Sequence, residues 1–421
     1  MGLTPIRLLC IASDIPLPAN SGGRVDVWRR LQALKAGGVE LALLCWYDVG
    51  RSQPPSADLL GELGNVCAQV KVQPIRRSFS EVFSRLLNLW RMPSHAAARW
   101  VTTDHAALIS WAQAFKPNAI LLDGLYGGAV ALWLSKRLQV PLLFRSHNIE
   151  HRYMREQYER ELNLSRRLGL LANLVGLARF ERGIIRAAKR VFDISLDDLQ
   201  FWQAQGHKHV EWLPPLVDDD FVRAMSGSAA HDDSIDVLYF GNLNTPNNVD
   251  GVLWWLEKVV SQLRVIRPSL RICVAGSRPV AQIVDATARL KVKLVANPEN
   301  MAPLLKSSRV LVNPVFAGSG VNIKTVEMLF SPAQLVSTNQ GLAGLPKEVT
   351  QHFRRADTSE AFIAAVLDGL DAPIGDYDME RVQVRSIFVS LQVNRLIGVM
   401  LSEVERFRSE KVPNTQAGEF K

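Results

Sequence analysis

The sequence is poor in cysteine, and the few cysteines are scattered. Its 421 residues contain four, Cys10, Cys45, Cys67 and Cys273, and three of these stand inside apolar, strand-like runs. A thiol in such a run behaves as a small buried hydrophobe, and the spacings fit neither a disulfide framework nor a zinc site. The composition therefore argues against a disulfide-stapled secreted domain and favours a reducing cytosol.

Long hydrophobic runs are also missing. No segment offers the about 18 unbroken apolar residues that a membrane-spanning helix needs, and the apolar stretch at residues 119–136 is interrupted by Asp123 and by glycines. The apolar run near the N-terminus, "LLCIA", is too short for the core of a secretory signal. We therefore expect a cytoplasmic chain that does not cross a membrane.

The net charge of +8 is unevenly distributed. Residues 145–190 contain eleven lysines and arginines against five glutamates, with apolar residues at helical intervals. One interpretation is a basic amphipathic region that docks on an anionic bilayer, which would make the protein peripheral on the inner face of the membrane. The other is a set of solvated helices whose apolar side packs on its own domain. Nucleic acid is not an expected partner, because the region lacks a recognition motif and interleaved aromatic residues.

Short apolar runs alternate with helix-period segments along most of the chain, as in "IRLLCIAS" followed by "RVDVWRRLQALKAGG". This alternation predicts an α/β fold with doubly wound parallel sheets. The pattern lapses into proline, acidic and small polar residues at 215–234, which indicates a domain junction. We predict a first domain at 1–215, a second at 216–378, closing helices at 379–410 and a flexible tail at 411–421.

One strand-to-helix loop, "FAGSGVNIKTVE", is unusual in its chemistry. Gly318 and Gly320 allow a ligand to approach the backbone closely, and a helix beginning near Val321 would present free N–H groups to an anion such as a diphosphate. Lys324, one turn in, adds a positive charge, and Glu327 on the same face suits a ribose diol. The alternative is a tight turn followed by a solvated glutamate.

Several segments together resemble the nucleotide-sugar-dependent glycosyltransferases of GT-B architecture, specifically the retaining family 4. They include "SDIPLPANSGGRVDVWRRLQAL", "SHNIE", "YFGNLNTPNNVDGVLWWLEKV" and "AGSGVNIKTVEMLFSPAQLVSTNQGLAGLP". The resemblance implies two Rossmann-like domains facing across a cleft, an acceptor-side domain followed by a nucleotide-sugar-binding one. It implies Glu327 as ribose ligand, His147 beside the reacting sugar, and backbone contacts to the diphosphate and donor sugar from Gly22, Gly23, Gly318, Ser319, Gly320 and Val321.

The resemblance also implies an activity. The enzyme would be a hexosyltransferase-type transferase that moves a sugar, with retention, from a nucleotide-diphosphate sugar to a glycan or lipid-linked acceptor. Synthesis of cell-surface polysaccharide or lipopolysaccharide is the implied setting. The nucleotide sugar is a co-substrate, and neither a cofactor nor a metal is required. The catalytic residues would be His147 and Lys324, the latter stabilising the departing diphosphate.

The donor motif departs from the family pattern at several points. Ser319 stands where many relatives carry an earlier glutamate, and "GNLNTPNN" has no charge where they carry arginine and lysine. Two other classes therefore stay open, a non-catalytic homologue that binds a sugar nucleotide or glycan, and a nucleotide-sugar epimerase. For an acceptor, the candidate contacts are Asp14, Asn20 and Asp123, although the first two could be turn residues and the third a helix cap.

Overall fold

The computed structural model describes residues 6–50, 53–226, 235–373, 377–389 and 391–410. The predicted tail at 411–421 and the junction residues 227–234 lie outside the described residues. The first sheet is parallel and seven-stranded, with the order β3-β2-β1-β4-β5-β6-β7. Its strands are β1 (Arg7–Ala12), β2 (Glu40–Asp48), β3 (Gln69–Ile75), β4 (Ala119–Asp123), β5 (Leu142–Ser146), β6 (Arg190–Asp193) and β7 (Val210–Trp212).

The second sheet is also parallel and has six strands in the order β10-β9-β8-β11-β12-β13. Its strands are β8 (Ile235–Asn242), β9 (Ile272–Ser277), β10 (Lys293–Ala296), β11 (Ser308–Asn313), β12 (Gln334–Ser337) and β13 (Arg354–Arg355). The predicted fold class, two doubly wound Rossmann-like domains, is confirmed.

Helices cover both faces of each sheet. Those that follow strands of the first sheet are α1 (Gly22–Ala36), α2 (Ala57–Val66), α3 (Phe79–Asn88), α4 (Ser94–Thr102), α5 (His105–Phe115), α6 (Gly128–Leu138), α7 (Glu150–Arg160), α8 (Leu164–Leu174), α9 (Leu177–Ala187) and α10 (Leu196–Ala204). The remaining helices are α11 (Asp219–Met225), α12 (Pro246–Trp254), α13 (Ser261–Ile266), α14 (Ala281–Arg289), α15 (Ala302–Lys306), α16 (Ile323–Met328), α17 (Lys347–Thr350), α18 (Ser359–Asp371), α19 (Tyr377–Arg385) and α20 (Leu391–Ser409).

The central strands form because their apolar residues are continuous. In β1, Leu8, Leu9 and Ile11 are fully buried, as expected of parallel strands covered by helices on both faces. Ten strands coincide with apolar, strand-like runs of the sequence, such as "NAILLD" at β4 and "RVLVNPVF" at β11, whereas the sequence analysis predicts no strand at β3, β7 or β13. β3 alternates apolar with polar residues at a sheet edge, and the other two strands span three and two residues.

The C-terminal helices join the two domains. By length and composition alone, the segment Met379–Ser409 would qualify as a membrane span. In the structure it is divided between α19 and α20 and packs against both hydrophobic cores. Its buried apolar residues are Val384 and Phe388 in the core of the second domain and Val393, Leu396, Met400 and Val404 in that of the first.

Candidate active site

A deep cleft opens at the carboxyl ends of both sheets, where ligands of doubly wound sheets bind. It has a volume of about 1950 Å³, whereas pockets for single small molecules span roughly 300–1,000 Å³. Loops after β1 and β5 line one side, and loops after β8 and β11 line the other. The cleft can therefore accommodate two substrates together.

The first-domain wall contains the N-terminus of α1. Its first residues, Gly22 and Gly23, line the cleft, and the side chain of the preceding Ser21 makes no capping hydrogen bond. The first-turn N–H groups of a helix have no intrahelical partners, and the helix dipole makes them attractive to an anion. The two glycines thus form a helix N-terminus that opens onto the cleft, and their contact with a diphosphate stays a prediction.

His147 follows β5 and lies at the bottom of the cleft. Its Nε2 donates to Asp123 Oδ1 at 2.7 Å, and its side chain is 20% exposed. Burial raises the pKa of Asp123, but Arg30 and His147 more than offset this, so the pKa is lowered and the carboxylate is charged. In the neutral form of the ring, the bond to a carboxylate fixes the proton on Nε2, and Nδ1, on the side of Gly23, is then an acceptor.

Behind His147 lies a buried network of alternating charges that sequence reasoning missed. Arg30 Nη2 bonds Asp123 at 2.7 Å and Asp26 at 2.9 Å, and Arg145 Nη2 bonds Asp26 at 3.2 Å. Burial of Asp26 favours its neutral form, but the charges of Arg30 and Arg145 dominate and lower its pKa. Each buried charge has an opposite partner, as low-dielectric burial requires. The network holds Asp123 ionised and His147 in one orientation.

The second-domain wall is the glycine loop after β11. Gly318 and Gly320 have φ angles of 139° and 68°, which residues with a Cβ rarely adopt. A Cβ on Gly320 would lie 2.4 Å from the carbonyl oxygen of His147, and Ser319 Oγ donates to Asn148 Oδ1 at 2.9 Å. Glycine at 320 therefore lets the two domains meet at His147.

The helix after this loop differs from the prediction. α16 starts at Ile323, two residues later than expected, and has six residues. Lys324 is accordingly its second residue and does not lie one turn in. The Lys324 ammonium is buried over the Tyr239 ring, 4.3 Å from its centroid, with no hydrogen-bond partner among the described residues. Burial lowers its pKa to about 7, and Glu327 opposes this shift.

Lys324 and Glu327 do not line the cleft, in contrast to Val321 and the other predicted donor-site residues. Glu327 Oε1 accepts a 2.7 Å bond from Arg29 Nη2, whose Nε donates to Asp218 at 2.7 Å. Burial disfavours the charged Arg29, but Glu327 and Asp218 outweigh it and raise the pKa of Arg29. The proposed ribose ligand is thus part of an ion pair between the domains, and its contact with ribose stays a prediction.

The three residues predicted to contact an acceptor lie in different surroundings. Asp14 lines the cleft and pairs with Arg99 at 3.1 Å. Asn20 does not line it, and its carbonyl oxygen accepts from Asn242 Nδ2 of the second domain at 2.6 Å. Asp123 is 4% exposed and is neither a cap nor a cleft-lining residue, because both of its oxygens are bonded inside the charge network. Of the three, only Asp14 is among the residues that line the cleft, and the acceptor contacts of all three stay predictions.

Comparisons with known proteins agree with this architecture. Residues 234–372 match the family model described as glycosyl transferases group 1. The chain is 22% identical over 352 residues to an uncharacterized 44.6 kDa protein in the cps region of Klebsiella pneumoniae. The aligned residues are 80% of this chain and 84% of that protein.

Solved structures show the same fold. Anabaena Alr3699/HepE in complex with UDP is 12% identical, with a TM-score of 0.62, over 94% of this chain and 100% of that chain. The same protein has been solved with UDP-glucose. Sucrose-phosphate synthase from Thermosynechococcus elongatus is 14% identical, with a TM-score of 0.60, over 95% of this chain and 99% of that one. The chain therefore has the two-domain GT-B fold of glycosyltransferases, and its second domain is similar to the group 1 glycosyltransferases.

Proposed function

We propose that the protein transfers a sugar from a nucleoside diphosphate sugar to a glycan or lipid-linked acceptor. One observation carries this proposal: Gly22 and Gly23 at a helix N-terminus face the Gly318 to Gly320 loop across a single cleft, with His147 between them. Backbone N–H groups from two sides suit a diphosphate that must be held while its bond to a sugar breaks. The match to the group 1 glycosyltransferases supports the same class of reaction.

The donor in this proposal is a uridine nucleotide sugar. The support is that Alr3699/HepE, which has the same fold, was solved with UDP and with UDP-glucose. In our proposal the amides of the two glycine loops bind the diphosphate and Glu327 binds the ribose. Lys324, buried behind the loop, becomes fully charged when the diphosphate binds, since a nearby negative charge raises the pKa of an amine.

His147 is the proposed contact to the reacting sugar. In the neutral form of the ring, Nδ1 is an acceptor on the cleft side and can take a hydrogen bond from a sugar hydroxyl. We propose a retaining, family 4 reaction in which the acceptor attacks from the face that the diphosphate leaves. The protein contributes positioning and stabilisation of the leaving group.

We place this reaction in cell-surface polysaccharide synthesis on the cytoplasmic side of the membrane. The relative encoded in a cps region supports that setting. The test has two stages, a calorimetric screen of nucleoside diphosphates and then turnover of the bound sugar nucleotides with glycan and lipid extracts. We expect release of nucleoside diphosphate only when donor and acceptor are both present. Release from donor alone would indicate a hydrolase or epimerase, and binding without release would indicate a non-catalytic sugar-nucleotide-binding protein.

A further inference from the structure

α3 turns its apolar side outward. Its large apolar residues recur at helical spacing on the exposed side, and the series continues past its end to a tryptophan: Phe79, Val82, Phe83, Leu86, Leu87 and Trp90. Phe79 is 89% exposed and Trp90 is 74% exposed, while no residue of α3 is buried. In a water-soluble domain such a stripe normally faces the core. The stripe therefore indicates a partner outside the described chain.

A second exposed stripe lies on α8 and its flanks, comprising Leu162, Leu164, Leu168, Leu171 and Val175. Adjacent residues of α4 bind both helices: Arg85 of α3 donates to Ser94 Oγ at 3.2 Å, and the N–H of His95 donates to Asn173 of α8 at 2.8 Å. Arg85 and Arg166 also line the cleft. The two stripes thus flank one end of α4, at the rim of the cleft.

The charge around the stripes identifies the partner. Residues 76–91 and 162–175 together contain six arginines and one glutamate. Apolar and aromatic side chains inserted at the headgroup level, with arginines on lipid phosphates, are the features of an interfacial bilayer anchor. A second copy of the chain would instead bring two arginine-rich surfaces together in a symmetric contact, and their repulsion opposes that pairing.

We propose that α3 and α8 form a docking surface for an anionic phospholipid bilayer. The surface deepens the proposed function, because its position on the cleft rim would bring a lipid-linked acceptor to the site. It differs from the basic region predicted at 145–190. The apolar residues of α9, Leu177, Ile184 and Ile185, are buried in the first domain's core, so only the α8 part of that region belongs to the surface.

The test is flotation of the full-length protein with vesicles of phosphatidylcholine, alone or mixed with phosphatidylglycerol. We expect binding to the anionic vesicles only, weakening as salt is raised. Phe79→Ser combined with Trp90→Ser should reduce binding at least about tenfold, since two large apolar side chains no longer insert. Val265→Ser with Ile266→Ser is the matched control, because these exposed apolar residues belong to the second domain, and it should bind as wild type does.

The charge contribution is tested separately. Arg166→Gln with Arg167→Gln should weaken vesicle binding by about fivefold per arginine and reduce its salt dependence. Equal vesicle binding by wild type and the Phe79 and Trp90 double variant would overturn the proposal. So would sedimentation showing that the wild type, but not that variant, self-associates without lipid. Calorimetry with UDP on the Phe79 and Trp90 double variant, whose changed residues do not line the cleft, separates the two ideas. Lost vesicle binding with intact UDP binding is expected. Absence of UDP binding by the wild type counts against the proposed donor alone.

Discussion

Lys324→Met should stabilise the free protein at neutral pH while impairing its reaction with the donor. Lys324 is buried over Tyr239 without a hydrogen-bond partner among the described residues. Its pKa is lowered to about 7 by burial, which Glu327 only partly opposes. Methionine retains the unbranched stem and removes the charge. The substitution therefore removes the cost of a buried ammonium without opening a large cavity.

The size of this stability difference follows from the linkage between proton binding and folding. An unfolded lysine titrates near pH 10.4, so between pH 7 and pH 10 the unfolded chain binds more protons than the folded one, and wild-type stability rises with pH. The penalty of the buried ammonium is complete below pH 7 and disappears as pH passes the unfolded pKa. Each pH unit changes stability by about 1.4 kcal/mol, so the advantage of the variant should shrink by on the order of 2 to 3 kcal/mol between pH 7 and pH 9.

Urea unfolding of both proteins at pH 6 to 9 measures this difference, and other titrating groups cancel in the comparison. A constant difference across that range would refute the assignment of a depressed pKa to Lys324. Calorimetry in buffers of different ionisation enthalpy tests the donor side. At pH 8 the wild type should take up close to one proton, about 0.9, per UDP bound, because the diphosphate restores the lysine's charge. The variant should lack this uptake, and its turnover should fall more than its UDP affinity does.

Three further substitutions test the cleft. Glu327→Gln should lower kcat/KM for the donor by roughly 10- to 150-fold through one lost charge-assisted hydrogen bond. The control Asp218→Asn weakens the other ion pair of Arg29 but keeps Glu327 and its bond to Arg29, so it should change donor kinetics much less. His147→Ala should spare UDP binding in calorimetry and damage transfer. Gly320→Ala should weaken UDP binding at least about tenfold, because its Cβ meets the His147 carbonyl. For comparison, Gly61→Ala, in a helix with nothing within 4 Å, should be neutral or stabilising in thermal unfolding.

The fold could be predicted from the sequence because central parallel strands are apolar on both faces. β4, for instance, is buried along its whole length and reads as one run. β3 and β13 were missed because edge strands bury one side or are too short to show a pattern. The exposed stripe on α3 could not be predicted, since sequence periodicity gives the spacing of apolar residues but not whether they face the core or solvent.

The candidate site could be predicted from the sequence only in part. Glycines after strands mark close backbone approach, so Gly22 and Gly320 could be located without a structure. The charge network could not, because Arg145 lies in an apolar strand and its partners come from distant segments. One signal was present: Asp26 and Arg30 stand one turn apart among the apolar, core-facing residues of α1. A charged pair at core positions indicates a buried ionic contact.

The contacts between the domains involve the same residues as the proposed donor site. Gly320 touches His147, Ser319 bonds Asn148, and Glu327 pairs with Arg29. Two of these contacts, the Ser319–Asn148 hydrogen bond and the Glu327–Arg29 ion pair, are polar, and polar contacts are typical of interfaces that permit domain movement. If Glu327 binds ribose, the donor must displace or share its bond to Arg29, so donor binding and domain contact are energetically linked. Weakening the contact from the Arg29 side, with Arg29→Met, should then alter UDP affinity although Arg29 itself does not line the cleft. Unchanged affinity would show that Glu327 serves the domain contact and not the donor.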